Sequence, residues 1–281
     1  MFVPVDSLKV LKNGTVAPDM AKRIVKSINW QLDKSYVLKN DLMVLDLLAT
    51  NKWERPIYFA VTTGPESYLN LQDYFQLEGL AYRLVPIKAE PQEQQISGTR
   101  VATDVMYNNI MKFSWGGMNT KGVYIDENIY RMCTNLRIQM GTLASALINE
   151  GKKDKALKVL DKCIEVMPEE NVPYDATIYS VVMSYYQLDK PDKANPLAKR
   201  LFDLFEADMN YYISLGSKSA SYGREMRQAQ EIMNRLTYMA RTYKQDALAK
   251  DFEARFGVFA RMLGNPQQQQ QMPQVQEQPS E

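Results

Sequence analysis

The sequence predicts an α+β protein, in which a small α/β N-terminal domain precedes an all-α domain of tetratricopeptide-like helical repeats. Short apolar segments bounded by proline and glycine predict the first part, and apolar residues at helical spacing predict the second. The length of 281 residues fits two compact domains of roughly 100 to 200 residues each. We predict the small α/β domain at 1–132, the repeats at 133–264 and a disordered Gln/Pro-rich tail at 265–281.

The N-terminal domain is predicted from alternating helical and extended segments. PIYFAVTTG and AYRLVPI read as buried strands, since each is a short apolar run next to proline or glycine. DLMVLDLLAT, from Asp41, and YLNLQDYFQLEG, from Tyr68, precede them and read as helices. This helix-strand-helix-strand order predicts a small α/β layer.

Three helix pairs are predicted in the second half. The first pair flanks a turn at Glu150, Gly151 and Lys152, and its small, large and proline residues fit the 34-residue tetratricopeptide pattern. A second pair follows, with Ala194 lying 38 residues after Ala156, so the register drifts. A third pair spans Ile232 to Met262. Cys133 and Cys163 lie at unequal distances from the first turn, which predicts two free, mostly buried thiols.

Composition excludes several classes of function. A formal charge of +1 gives no field for gathering nucleic acid, and no apolar run approaches the ~20 residues of a membrane span. The chain contains no histidine and only two cysteines, which removes the commonest general base and most zinc sites. The first residues lack the pattern of a secretion signal. We predict no catalytic residue, no metal site, no cofactor and no enzymatic activity for this chain.

One stretch carries a family resemblance. The residues NKWERPIYFAVTTGPESYLNLQDYFQLEGLAYRLVPIK, followed by MKFSWGGMNTKGVYIDEN, resemble the soluble carboxyl-terminal region of domain-of-unknown-function 2723 proteins. Those proteins are bacterial, multi-spanning and similar to protein O-mannosyltransferases. The resemblance implies that this chain is the outer end of such a protein, or a separated version of that end, on the periplasmic side of the cytoplasmic membrane. A complete, independent chain would instead be expected in the cytoplasm.

Six residues near this motif form the predicted binding site, because aromatic faces beside a few ionic groups suit sugars or extended peptides. A structural alternative stays open, since one of Tyr58 and Phe59 must face the core and either arginine could simply pair with Glu78. The six residues are Trp53, Arg55, Tyr58, Tyr74, Glu78 and Arg83.

Three functions follow from these observations. The first is a non-catalytic accessory region of a membrane glycosyltransferase-like protein, which presents a protein- or glycan-binding surface. Its partners would be a protein segment or glycoprotein acceptor and the membrane-embedded part of the parent protein. The second is a free-standing tetratricopeptide-like adaptor that binds a protein segment. The third is a small enzyme that uses Asp73 and Glu78 as an acid-base pair.

Overall fold

The computed structural model describes residues 1–263, so the predicted tail at 265–281 lies outside the described residues. The chain divides into two compact units, Met1–Pro173 and Tyr174–Glu281.

The first unit contains all the strands of the described chain and six of its α-helices. The strands are β1 (Phe2–Pro4), β2 (Ser27–Asn29), β3 (Tyr58–Ala60), β4 (Phe75–Leu77), β5 (Ala81–Leu84) and β6 (Arg100–Val101). The α-helices are α1 (Ser7–Lys12), α2 (Lys39–Thr50), α3 (Pro91–Gln94), α4 (Thr103–Lys112), α5 (Glu127–Asn149) and α6 (Lys153–Val166).

Four strands form the main sheet, in the order β3-β5-β4-β6. Strands β3, β5 and β4 are antiparallel, whereas β6 runs parallel to β4. Strands β1 and β2 form a separate antiparallel pair. Gly79, with a φ of 142°, allows the tight connection from β4 to β5.

The apolar face of the sheet builds the core of this unit. The rings of Phe59 and Phe75 lie 4.8 Å apart, and Tyr82 stacks on Phe75 at 5.6 Å. Tyr68 meets Phe75 edge-on at 5.3 Å, a geometry that aromatic pairs favour. Because side chains alternate along a strand, burial of this face leaves the other face for polar residues.

Three of the four segments predicted in this region are confirmed in type and one is wrong. Helix α2 covers the segment predicted from Asp41, and strands β3 and β5 lie within PIYFAVTTG and AYRLVPI. Strand β3 is buried on one face and not on both, since Tyr58 and Ala60 are exposed. The helix predicted from Tyr68 is wrong, because 3₁₀ turns and strand β4 occupy that segment. Leu69 and Asn70 have φ values of 53° and 62°, which no right-handed helix accepts, and β4 gains backbone partners on both sides.

Helices α5 and α6 pack as the predicted first pair. They meet at Gly151, whose φ of 75° ends α5 in the left-handed region. Most of the apolar residues predicted to form the contact of this pair are fully buried, whereas Leu136, Leu157 and Ile164 are only partly buried. Both cysteines are free and buried. The fully buried contact residues are Met140, Leu143, Ala144, Leu147, Ala156, Leu160 and Met167.

The described part of the second unit contains four α-helices and no strand. They are α7 (Ile178–Gln187), α8 (Pro191–Ser214), α9 (Gly223–Thr242) and α10 (Asp246–Leu263), with a 3₁₀ helix at Gly216–Tyr222. Helices α7 and α8 form the predicted second pair, α9 and α10 form the third, and α8 also packs on α9. Phe202 of α8 stacks on Phe252 of α10 with ring centres 4.2 Å apart.

The predicted fold class is confirmed at the level of α+β, because a small sheet region is followed by a helix-rich part. The tetratricopeptide character of the helix pairs stays a prediction, and so do the domain boundaries. Among the described residues, no helix is both long and apolar enough to cross a membrane.

Candidate functional site

A row of four polar residues crosses the sheet on the face opposite the aromatic core. Tyr58 pairs with Arg83 across β3 and β5, Arg83 with Gln76 across β5 and β4, and Gln76 with Arg100 across β4 and β6. We call Tyr58, Arg83, Gln76 and Arg100 the polar row. Its members share a face because directly paired residues project to the same side of a sheet.

The sequence produces this row through simple alternation. In FQL and AYRL, polar Gln76 and Arg83 each stand between apolar neighbours, which face the core. The same rule places Phe59 in the core with 8% exposure and leaves Tyr58 47% exposed. The prediction that one of these two neighbours faces the core is therefore confirmed.

Glu78 comes directly after the last residue of β4 and accepts hydrogen bonds from two members of the polar row. Its Oε2 accepts a hydrogen bond from the Tyr58 hydroxyl at 2.9 Å, and its Oε1 accepts one from Gln76 Nε2 at 2.6 Å. Arg83 Nη1 lies 3.6 Å from Oε1, and the Arg83 guanidinium also lies 5.8 Å from the centre of the Tyr58 ring. Burial is the main cause that raises the pKa of Tyr58, and the bond to Glu78 adds to it.

Both arginines of the row have a buried N–H group without a hydrogen-bond partner. The unpartnered atoms are Arg83 Nε and Arg100 Nη1. Arg100 Nη2 donates to Gln76 Oε1. Burial lowers the pKa of Arg100, against the attraction of nearby carboxylates such as Glu93. A buried guanidinium N–H without a hydrogen-bond partner lowers the stability of the folded state. This face of the sheet therefore has two N–H donors that are not used by the protein itself.

Two clefts open beside this face, and Glu78 lines both. The Tyr58 cleft, of about 450 Å³, lies between the β4–β5 connection and the end of α4. Its walls include Tyr58, Glu78, Asn109, Lys112 and Phe113.

The arginine cleft, of about 480 Å³, lies over the middle of the polar row. Its basic lining residues are Arg23, Arg83, Arg100 and Lys152, and its acidic ones are Asp19, Glu78, Glu93, Asp104 and Glu150.

The other three predicted site residues lie elsewhere. Trp53 and Tyr74 are core residues, since Trp53 Nε1 donates to the Pro4 carbonyl at 2.8 Å and the Tyr74 hydroxyl contacts the Asn29 backbone. Arg55 is exposed, and its backbone is held by the Asn51 side chain. The structure thus brings together Tyr58, Glu78 and Arg83 of the six.

Sequence reasoning missed Gln76, Arg100 and Asn109. Gln76 carried a usable signal, because a polar residue between Phe75 and Leu77 indicates a strand with one polar face. Arg100 and Asn109 carried none, since their proximity depends on the parallel pairing of β6 and on the position of α4. Asn109 donates to the Glu78 carbonyl at 2.7 Å.

Asp73 and Glu78, which the third hypothesis pairs as acid and base, have different partners in the structure. Asp73 contacts Lys88 at 3.2 Å and Gln94 at 3.2 Å, whereas Glu78 bonds with Tyr58 and Gln76. Within residues 1–263, no cluster of three or more histidine, cysteine, aspartate or glutamate side chains could hold a metal ion.

The second unit has a separate open groove of about 580 Å³. It lies where the α9–α10 turn meets α8, and its lining mixes both charge signs. Its lining includes Lys199, Lys244, Asp246 and Arg255.

Comparison with known proteins gives one finding. Neither the curated proteins nor the solved structures contain a match to this chain. The resemblance to the domain-of-unknown-function 2723 family is not confirmed. Residues 1–105, which include every member of the polar row, match the family model described as TMEM260-associated domain 2.

Proposed function

We propose that this chain is a non-catalytic accessory region of a membrane protein and that it binds a glycan in the Tyr58 cleft. The observation that carries the proposal is the half-exposed Tyr58 ring, which lies beside the buried Glu78 carboxylate in a cleft of about 450 Å³. The match of residues 1–105 supports the association with a membrane protein. The expected location, which follows the resemblance around Asn51–Lys88, is periplasmic.

The Tyr58 cleft has the chemistry that sugar rings need. The apolar face of a pyranose packs on an aromatic ring, and Tyr58 and Phe113 supply two rings in this cleft. Glu78 already accepts two hydrogen bonds, but a carboxylate has about four acceptor positions and can also accept a sugar hydroxyl. Lys112 adds a donor.

The same arrangement favours binding over catalysis. Hydrolysis or transfer at a glycosidic bond generally uses two carboxyl groups, one on each side of the bond. Glu78 is the one acidic side chain among the described residues that line the Tyr58 cleft. Its bonds to Tyr58 and Gln76 hold it in place, which suits an acceptor of hydroxyl groups.

A glycan array probed with the full chain, followed by calorimetric titration of the best neutral ligand, tests this proposal. We expect Tyr58→Ala to weaken binding by about tenfold or more, since stacking on the ring is lost. Tyr124→Ala is the matched control, because Tyr124 is 86% exposed and lies outside both clefts. Absence of any bound glycan, or equal binding by the Tyr58 variant, would overturn the proposal.

The adaptor alternative is favoured by the groove of the second unit. Its size of about 580 Å³ and its exposed Lys199, Lys244 and Asp246 suit a charged protein segment. A peptide array probed with the full chain would detect such a segment. Lys244→Glu should then abolish peptide binding and leave glycan binding unchanged; if no peptide binds, the alternative is rejected.

A further inference from the structure

We infer that the arginine cleft binds a carboxylate group, carried by an acidic sugar whose neighbouring ring lies in the Tyr58 cleft. The inference rests on the proposed function, and it joins the two clefts because Glu78 lines both. Its own support comes from the two arginines of the polar row.

Most of the charged side chains that line the arginine cleft are paired with a side chain of opposite charge. Arg23 binds both oxygens of Glu93, at 2.8 and 2.7 Å, and Lys152 binds Asp104 at 2.7 Å and Glu150 at 2.8 Å. Arg23 and Lys152 are therefore paired with carboxylates, and Arg83 lies 3.6 Å from Glu78. Arg100 instead has the neutral Gln76 amide as its hydrogen-bonding partner. Among the four described basic residues that line the cleft, Arg100, on strand β6, is therefore the one without a carboxylate in contact.

The unpartnered N–H donors of the polar row are Arg83 Nε and Arg100 Nη1. Arg83 and Arg100 belong to strands on either side of β4, so their Cα atoms are separated by about two strand spacings, or ~10 Å. A group bound above Gln76 could approach both guanidinium groups. Arg100 Nη1 is closed to water, but Arg100 lines the cleft, so a carboxylate bound there would contact its guanidinium group from the cleft side.

The charges that line the cleft decide which kind of anion it favours. The five acidic residues that line this cleft outnumber its four basic ones. A dianionic phosphate would meet strong repulsion here, whereas a carboxylate carries a single charge. Its planar pair of oxygens also matches the fork of a guanidinium group. The cleft therefore favours a carboxylate over a phosphate.

Calorimetric titration of the full chain with paired sugars tests the inference. The probes are disaccharides in which a glucuronic, galacturonic or mannuronic acid ring is joined to a neutral sugar ring, each beside its neutral counterpart, with inorganic phosphate and a short glutamate-containing peptide. We expect at least one acidic sugar to bind about tenfold or more tightly than its neutral counterpart. Phosphate and the peptide should bind more weakly than that sugar.

Variants assign the effect to the cleft. Arg100→Gln should reduce the affinity for the acidic sugar to that for the neutral one, while Arg100→Lys should restore part of it, since lysine keeps the charge but not the fork. Arg55→Gln is the matched control, because Arg55 is exposed and lies outside the arginine cleft. The neutral sugar should bind equally to all three variants.

The outcomes separate this inference from the proposed function. Equal binding of acidic and neutral sugars, tighter binding of phosphate or peptide, or an unchanged Arg100→Gln variant would overturn the carboxylate site alone. Selective acidic binding that depends on Arg100 but not on Tyr58 would support the carboxylate site and reject the Tyr58 cleft as a glycan site. Failure of every sugar would overturn both.

Discussion

Arg255 in the helical unit and Arg100 in the sheet are both largely shielded from water, yet their surroundings are opposite. Arg255 contacts Asp203 at 2.6 Å, Asp251 at 3.2 Å and also Glu206, and it lies 4.7 Å from the centre of the Phe202 ring. Its pKa is raised, chiefly by the hydrogen bond to Glu206.

Arg100 has a lowered pKa, an amide partner and an N–H group without a partner. The contrast separates two uses of a shielded charge. Arg255 is saturated by its own chain and holds α8 to α10, so its role is structural. Arg100 retains free donor capacity beside a cleft, which is what a binding residue needs.

The largest expected loss of stability follows substitution of Arg255. Arg255→Met should lower the free energy of unfolding by about 2 kcal/mol, because Asp203 and Glu206 would lose their shared cation and repel each other. The estimate lies below that for a fully buried pair, since the Arg255 side chain is 23% exposed. Urea unfolding of the full chain would measure it.

The matched control for this change is Arg241→Met. Arg241 is 63% exposed and pairs with Glu253 on the surface, so we expect no measurable loss of stability. Equal losses for Arg255→Met and Arg241→Met would remove the distinction between a saturated and an exposed arginine.

An intermediate effect is expected at Glu93, in the wall of the arginine cleft. The hydrogen bond from Arg23 lowers the pKa of Glu93 below its usual 4.5. The pair therefore stabilises the folded state above that pH, and its contribution is lost as the pH falls through the lower folded pKa. Glu93→Gln should cost up to about 1 kcal/mol at neutral pH and nothing once Glu93 is protonated.

Unfolding curves recorded between neutral and acidic pH would check this prediction. The exposed Glu54, which contacts Lys9 at 3.3 Å, provides the control variant Glu54→Gln. A stability difference for Glu93→Gln that persists unchanged at low pH would show that packing, and not the ion pair, causes it.

The smallest expected change in stability follows substitution of Arg100. Arg100→Met should change stability by no more than about 1 kcal/mol in either direction, since removal of a poorly compensated buried charge offsets the lost bond to Gln76. Thermal and urea unfolding would detect a larger change. A loss above about 2 kcal/mol would place Arg100 with Arg255 as a structural residue and weaken the carboxylate site.

The sequence predicted much of the fold, because local patterns were strong where the elements are regular. The turn at Gly151 and the helices beside it follow from apolar spacing, and the strand at Tyr58 follows from its short apolar run. The segment from Tyr68 was predicted incorrectly because its apolar residues fit a helix as well as a buried strand. Pairing of β4 with β5 and β6 decided between them.

For the candidate site, the sequence by itself determined that Tyr58 and Phe59 face opposite sides of one strand, and it identified Tyr58, Glu78 and Arg83 as candidate binding residues. It did not determine the position of Gln76, because the segment around it was predicted as a helix. Only the tertiary structure decided that Trp53 and Tyr74 belong to the core, and that Arg100 joins Gln76 and Arg83 in one row. Strand register joins residues far apart in the chain, and no local pattern contains that information.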